Sequence, residues 1–431
     1  MPHTSTPATT GEGRERAAIV RLTTRASRNV DSDTALDELA GLADAAGAEV
    51  TLRMAQERDL PDPATLIGRG KAEQLTLAAD ESGINLIIVD NELTPAQTRN
   101  LERVTSRRVI DRTALILDIF ARRARTREGQ LQVELAQLKY RLPRLAGSSE
   151  ALSRLGGGIG TRGPGETKLE TDRRRIRYRI SVLEGEIATV QRRRGYIRSR
   201  RRRSDVPTVA LVGYTNAGKT TLFNQLTGAG AVASDALFVT LDPLMRRVKL
   251  PDARQVMLAD TVGFIERLPH QLVAAFHATL EEVASADLLL HVVDASAADR
   301  ERHMKAVEEV LNAVDAGTVP TVTVFNKGDR MGTAEREALR LARPDALVVS
   351  ARDGVGMAEL LDTIVARLAL DAVRTTLVFD RAVEADRALL GELYRHARIV
   401  SQQDEAGERV MVEADVPRRL LGRFVRLTRT A

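Results

Sequence analysis

The sequence reads as a three-part α/β chain. An N-terminal α/β domain carries a long helical hairpin, a second α/β domain has a mostly parallel sheet, and a small α+β domain closes the chain. Three observations predict this. Residues 17–122 and 205–370 each alternate short β-branched runs with amphipathic stretches, the rhythm of parallel α/β folds. Between them, two long amphipathic stretches flank a glycine-rich loop, the pattern of an antiparallel helical pair. After residue 370 the rhythm becomes strand, helix, strand, turn, strand.

The elements follow in order. Residues 1–16 hold no apolar signal core and read as a disordered tail. AAIVRLT, AEVTLRMA and INLIIVD read as strands, with DTALDELAGLADAAG and KAEQLTLAADESG as the helices between them. ALILDIFARRARTREGQLQVELAQLKYRL then reads as one long helix ending near Pro143. KLETDRRRIRYRISVLEGEIATVQRRRGYIRSR reads as a second, with Ile176, Ile180, Leu183, Ile187 and Val190 three or four residues apart. Residues 123–204 thus form an arm, with GGGIGTRGPGETKLETDRRR, from Gly156, beginning at its tip. Residues 371–431 show no chemical motif and read as a docking or packing unit, ending in a basic helix, PRRLLGRFVRL.

Composition narrows the chemistry. The 431 residues include no cysteine, which excludes disulfides, thiolate metal sites and thiol nucleophiles and fits a reducing cytoplasm. No apolar run has the length to cross a bilayer, so a soluble, cytoplasmic monomer is expected. From Thr171 to Ser204 there are thirteen arginines against Asp172, Glu184 and Glu186, on a chain whose net charge is only +5. Such concentration points to an anionic partner, most often nucleic acid, and arginine forks match phosphate geometry. A solvated helix face or a genomic preference for arginine would produce the same run.

The arm's loop fits G-x-G-x-x-G through Gly158, Gly160 and Gly163. That pattern binds a dinucleotide only when a strand precedes it, and RLAGSSEALSRL does not read as one. GYTNAGKT is a different matter. It is a complete G-x-x-x-x-G-K-[ST] between the strand TVALV and a helix starting near Lys219, so its backbone is expected to cradle phosphates. Gly213, Tyr214, Thr215, Asn216, Ala217, Gly218, Lys219, Thr220 and Thr221 form this first group of nucleotide contacts. Lys219 would reach the β- and γ-phosphates and Thr220 would offer its hydroxyl to Mg²⁺.

Four further stretches identify the base and the switches. NKGD, comprising Asn326, Lys327, Gly328 and Asp329, follows the strand TVTVF. A carboxylate there accepts from guanine N1–H and its 2-amino group, donors that adenine lacks. Ser350, Ala351 and Arg352 follow ALVVS and are placed against the base. Phe238, Val239, Thr240, Leu241 and Asp242 form a first switch, whose Thr240 is the second candidate metal ligand. Asp260, Thr261, Val262 and Gly263 form the other, with Asp260 holding Mg²⁺ through water and the Gly263 N–H meeting the γ-phosphate. Five motifs in this order read as a P-loop GTPase domain that binds GTP and GDP.

Phe264 stands where Ras-type GTPases carry a water-orienting glutamine, so slow intrinsic hydrolysis is expected unless another element compensates. Asn216, three residues before Lys219, is one candidate through a coordinated K⁺, a placement that resembles the potassium-stimulated GTPases. The other reading is that its side chain caps the loop backbone. The candidate catalytic set is therefore Lys219, Thr240, Gly263 and Asn216.

With these residues in place, the chain resembles the HflX family of translation-associated GTPases. GYTNAGKTTLFN, FVTLDP, DTVGFI and NKGD carry the resemblance, and GGGIGTRGPGETKLETDRRR is close to a family hallmark. One departure is Lys168, where glutamine is expected. The resemblance implies an N-terminal domain and arm that bind the large ribosomal subunit, with the loop reaching ribosomal RNA. It also implies splitting of stalled or idle ribosomes. An assembly factor of the Era or Obg kind, or an RNA-binding scaffold with a vestigial GTPase, are the competing readings.

Overall fold

The computed structural model describes residues 14–25, 31–145, 168–203, 206–231, 237–250, 255–267, 282–368, 370, 372–405 and 407–427. Residues 1–13 of the expected tail and the glycine-rich tip lie outside them. β1 (Glu15–Thr23) begins two residues inside the expected tail. It lies at the centre of a parallel four-stranded sheet, with β2 (Ala48–Glu57) on one side and β3 (Leu86–Val89), then β4 (Arg108–Asp111), on the other. β1 is buried from Ala17 onward and β3 throughout, as central parallel strands covered on both faces must be. The edge strand β2 is mostly exposed or half-buried.

The helices of this domain are α1 (Ser32–Ala45), α2 (Arg69–Glu81) and α3 (Pro95–Thr105). α3 and β4 are additional to the elements expected from the sequence. Yet α3 opens on a capping box between Thr94 and Gln97 with Pro95 in its first turn, a readable start signal.

The stretch expected as one long helix is two. α4 (Arg112–Arg123) stops at Ala124, and α5 (Arg127–Arg144) starts from the N-cap Thr126, whose hydroxyl oxygen accepts the Gly129 N–H. The break is held from outside. The Asp242 carboxylate accepts the N–H groups of Arg125 and Thr126, each at 2.9 Å. α5 ends at Arg144, one residue past Pro143 and close to the expected end. α6 (Lys168–Arg203) packs antiparallel on α5. Leu131 and Leu135 meet Leu183 and Ile187 in a small buried seam that Ile180 flanks. Arg179 grips Glu134 with two bonds of 2.7 and 2.8 Å. Exposed ion pairs of this kind add about 0–1 kcal/mol, so the apolar seam holds the arm together.

The second sheet has the order β10-β9-β8-β5-β7-β6. Its strands are β5 (Thr208–Val212), β6 (Leu244–Lys249), β7 (Gln255–Asp260), β8 (Leu288–Asp294), β9 (Thr321–Asn326) and β10 (Leu347–Val348). All neighbours are parallel except β6 with β7. Its helices are α7 (Lys219–Thr227), α8 (Arg300–Ala313), α9 (Thr333–Ala342) and α10 (Met357–Arg367). The last sheet is antiparallel, with β13 (Arg409–Pro417) between β11 (Ala372–Asp380) and β12 (Arg398–Asp404), and α11 (Glu384–His396) against it. The expected closing helix is instead three short helical turns within Arg418–Leu427, pinned by buried Leu420 and Phe424.

One apolar core crosses from the first domain to the second. Ile19, Leu39 and Phe120 share it with Phe238, Phe264 and Val307. Phe120 meets Phe238 edge-on, with ring centroids 4.7 Å apart. The first switch therefore begins inside the interdomain core.

Candidate nucleotide site

The phosphate loop leaves the C-terminal end of β5 and feeds α7. Two of its glycines are required by space. A Cβ on Gly213 (φ 153°) would lie 2.2 Å from the Val292 carbonyl oxygen, and one on Gly218 (φ 91°) 2.2 Å from the Asn326 amide nitrogen. The loop rims a cavity of about 460 Å³. Thr215, Asn216, Gly218, Lys219, Thr220 and Thr221 line it from the loop; Phe238, Val239, Thr240, Thr261 and Gly263 come from the switches. Asn326, Lys327, Asp329, Arg352 and the unforeseen Arg330 close the far end. A basic residue directly after Asp329 was the available signal for Arg330.

The end expected to take the base is cross-braced. Asn326 donates through its amide nitrogen to the Ala217 carbonyl (3.0 Å) and accepts the Ala351 N–H (2.9 Å), tying phosphate loop, β9 and the Ser350 loop together. Ser350 donates to Asp329 at 2.8 Å, holding that carboxylate in place. Lys327 pairs with Asp294 at 2.7 Å. The Gly328 N–H is committed to the Val349 carbonyl.

The end expected to take the phosphates gathers side-chain oxygens. Thr220 and Thr240 hydroxyls are 2.8 Å apart, and each reaches Asp260 Oδ2, at 2.8 and 3.1 Å. Asp260 Oδ1 is buried and has no hydrogen-bond partner among the described residues. A buried carboxylate oxygen with no partner beside two hydroxyls suits a hard divalent cation. Burial pushes the Asp260 carboxyl up, against the pull of Lys219 and the two threonines. Lys219 lies folded on the loop, donating to the Gly213 and Tyr214 carbonyls at 3.0 and 2.7 Å. Burial lowers its pKa to about 8.

Several expected contacts point elsewhere. Leu241 and Val262 are buried in the interdomain core. Asp242 caps α5 instead of entering the cavity, because its carboxylate meets three donors at the helix break. The Tyr214 side chain turns away to stack on His303 at 3.8 Å and to donate to Glu38. Asn216 makes no side-chain hydrogen bond to the loop among the described residues, although capping was one of its two expected roles; its backbone is left-handed (φ 58°). Phe264 is 1% exposed, a core residue where Ras-type GTPases place their glutamine.

Three family models match successive stretches of the chain: "GTP-binding GTPase N-terminal" over residues 33–121, "GTP-binding GTPase Middle Region" over 123–201 and "50S ribosome-binding GTPase" over 208–327. The GTPase HflX of Caldanaerobacter subterraneus subsp. tengcongensis is 50% identical over 351 residues, 81% of this chain and 80% of its own. That of Escherichia coli is 45% identical over 365 residues, 84% of this chain and 85% of its own. The chain belongs to the HflX family of GTPases. A further member, from Gluconacetobacter diazotrophicus, matches at 38% identity over 92% of this chain and 95% of its own. As an HflX-family enzyme the chain hydrolyses GTP, so the reading as a scaffold with a vestigial GTPase falls. No described helix is long and apolar enough to cross a membrane.

Proposed function

We propose that this HflX-family GTPase docks on the large ribosomal subunit through its arginine-rich arm and splits stalled or idle ribosomes, with GTP hydrolysis driving release. The observation that carries the reading is the join between switch and arm. Asp242, two residues after Thr240, holds the start of α5, so the segment beside the metal-binding hydroxyls also anchors the arm. The description "50S ribosome-binding GTPase" of the matching model supports the same partner. Mg²⁺ would be held by Thr220 and Thr240, with Asp260 behind them; when bound it neutralises charge between the β- and γ-phosphates. The deciding experiment is GTP turnover with and without purified large subunits. No stimulation and no co-sedimentation would sink the reading.

The arm's part in it can be tested through salt. α6 exposes Arg174, Arg175 and Arg177, and phosphate contacts release counterions. Replacing Arg173, Arg174 and Arg175 by glutamine is expected to weaken large-subunit binding and to flatten the slope of log K against log[salt] by about 2. An unchanged slope would reduce these side chains to a solvated helix face.

Asn216 lines the cavity with an exposed side chain. We assign it a K⁺ that stabilises the charge developing between the phosphates, as an arginine finger does. Turnover in potassium is then expected to exceed that in sodium at matched ionic strength, and Asn216→Ala to erase the difference. Equal rates in both salts, with and without large subunits, would dispose of the ion.

A further inference from the structure

Open α/β sheets gather their ligands at the C-terminal ends of their strands. In the first domain that edge carries a buried polar cluster, and the second domain sits on it. Arg21 lies in β1, Asp90 follows β3 and Arg112 follows β4. Arg21 donates to Asp90 Oδ2 at 2.5 Å, and Arg112 Nη1 to Asp90 Oδ1 at 3.0 Å. The side chains of Arg21, Asp90 and Arg112 are 1%, 1% and 5% exposed.

From there the cluster reaches across the domain boundary. Arg112 Nη2 donates to Glu38 Oε2 on α1 and to the carbonyl oxygen of Glu266, both at 3.0 Å. The Tyr214 hydroxyl donates to Glu38 Oε1, and the Glu266 N–H donates to the Tyr214 oxygen at 3.1 Å. Phenol, carboxylate, guanidinium and peptide close a ring. Burial and the Glu38 charge push the Tyr214 hydroxyl pKa far up, so it stays a donor.

The ring fastens the segment that carries Gly263. Inside it, the Thr215 N–H donates to the Phe264 carbonyl at 2.7 Å and the Phe264 N–H to the Gly213 carbonyl at 3.0 Å. Tyr214 and Glu266 thus lie at the outer end of a short backbone ladder between phosphate loop and second switch. With Phe264 buried in the core, no side chain at that position orients water. The rate then depends on where the backbone donors sit, and a 1 Å misplacement can cost on the order of 10²-fold.

We propose that Glu38 and Arg112, on a domain that contributes nothing to the nucleotide cavity, are positioning residues for GTP hydrolysis. They hold Gly263 in register with the phosphate loop through Tyr214 and the Glu266 peptide. The inference rests on the GTPase activity of the family and needs no ribosome.

The test uses the full chain and single-turnover and steady-state GTP hydrolysis. Tyr214→Phe removes one oxygen and keeps the stack on His303, so folding is not at risk. It is expected to lower kcat about 10-fold with KM changed by less than about twofold, because the missing bond fixes the reacting geometry and not the nucleotide. Glu38→Gln should lose a similar factor, and the double variant no more than either alone, since both break one network. Arg112→Lys keeps a cation beside Asp90 but cannot also span Glu38 and the Glu266 carbonyl, so it should show the same kcat loss. Single variants with kcat within twofold of wild type would overturn the proposal. So would losses that multiply in the double variant, or that appear only in KM or in the melting temperature.

Discussion

Asp329→Asn is expected to raise the Kd for GTP about 30-fold or more, on the order of 2 kcal/mol. Asp329 lines the end of the cavity expected to take the base and is held there by the Ser350 hydroxyl at 2.8 Å. An ionised carboxylate accepts from both guanine N1–H and the 2-amino group. Asparagine offers one acceptor and one donor, so its NH₂ would face the guanine amino group, donor against donor. The same inventory predicts a gain elsewhere. Xanthine presents N1–H and a 2-carbonyl, which match the asparagine oxygen and nitrogen, so xanthosine triphosphate should bind the variant better than it binds wild type. Nucleotide titrations of both proteins with GTP, ATP and xanthosine triphosphate check this. Wild type binding ATP as tightly as GTP, or a variant that keeps full GTP affinity, would remove Asp329 from base recognition.

The lining of the cavity was legible because its motifs are local. Each is a short run, and each sits at a strand end that β-branched residues announce. GYTNAGKT, NKGD and DTVGF could be placed without knowing what lies across the sheet. What was illegible is non-local. Glu38, Asp90 and Arg112 sit in a helix and two strand ends with no motif, and only the interdomain packing brings them to Tyr214 and Glu266. Tyr214 itself is expected among the nucleotide contacts, yet its side chain turns away to His303 and Glu38, because side-chain direction is not written in a phosphate-loop pattern. The split of α4 from α5 was missed for the same reason. Thr126 was a readable cap, but ARRARTREGQ keeps its helical composition through the break, and the deciding acceptor stands 116 residues away.

That acceptor sets the second large effect. Asp242→Ala is expected to loosen the start of the arm by about 1.5–3 kcal/mol, the range for hydrogen bonds to a charged group. The carboxylate takes the N–H groups of Arg125 and Thr126 at 2.9 Å and the Thr126 hydroxyl as well. All three donors lie at the N-terminal end of α5, where the helix dipole favours negative charge. Alanine leaves them to water, and it also frees the Thr126 hydroxyl that positions the Gly129 N–H. Asp242→Asn keeps an acceptor but loses the charge, so it should fall between alanine and wild type. Amide hydrogen exchange reads the effect directly: protection at Gly129 and Gln130 should drop about 10-fold or more in Asp242→Ala, 1.4 kcal/mol being tenfold. Exchange at β9 in the same molecule should not change, which separates a local release from general destabilisation. If the switch steers the arm through this residue, large-subunit affinity in the alanine variant should no longer depend on whether GTP or GDP is bound. Unchanged exchange at Gly129 would show that the arm is held by its apolar seam alone, and the mechanical link from switch to arm would have to lie elsewhere.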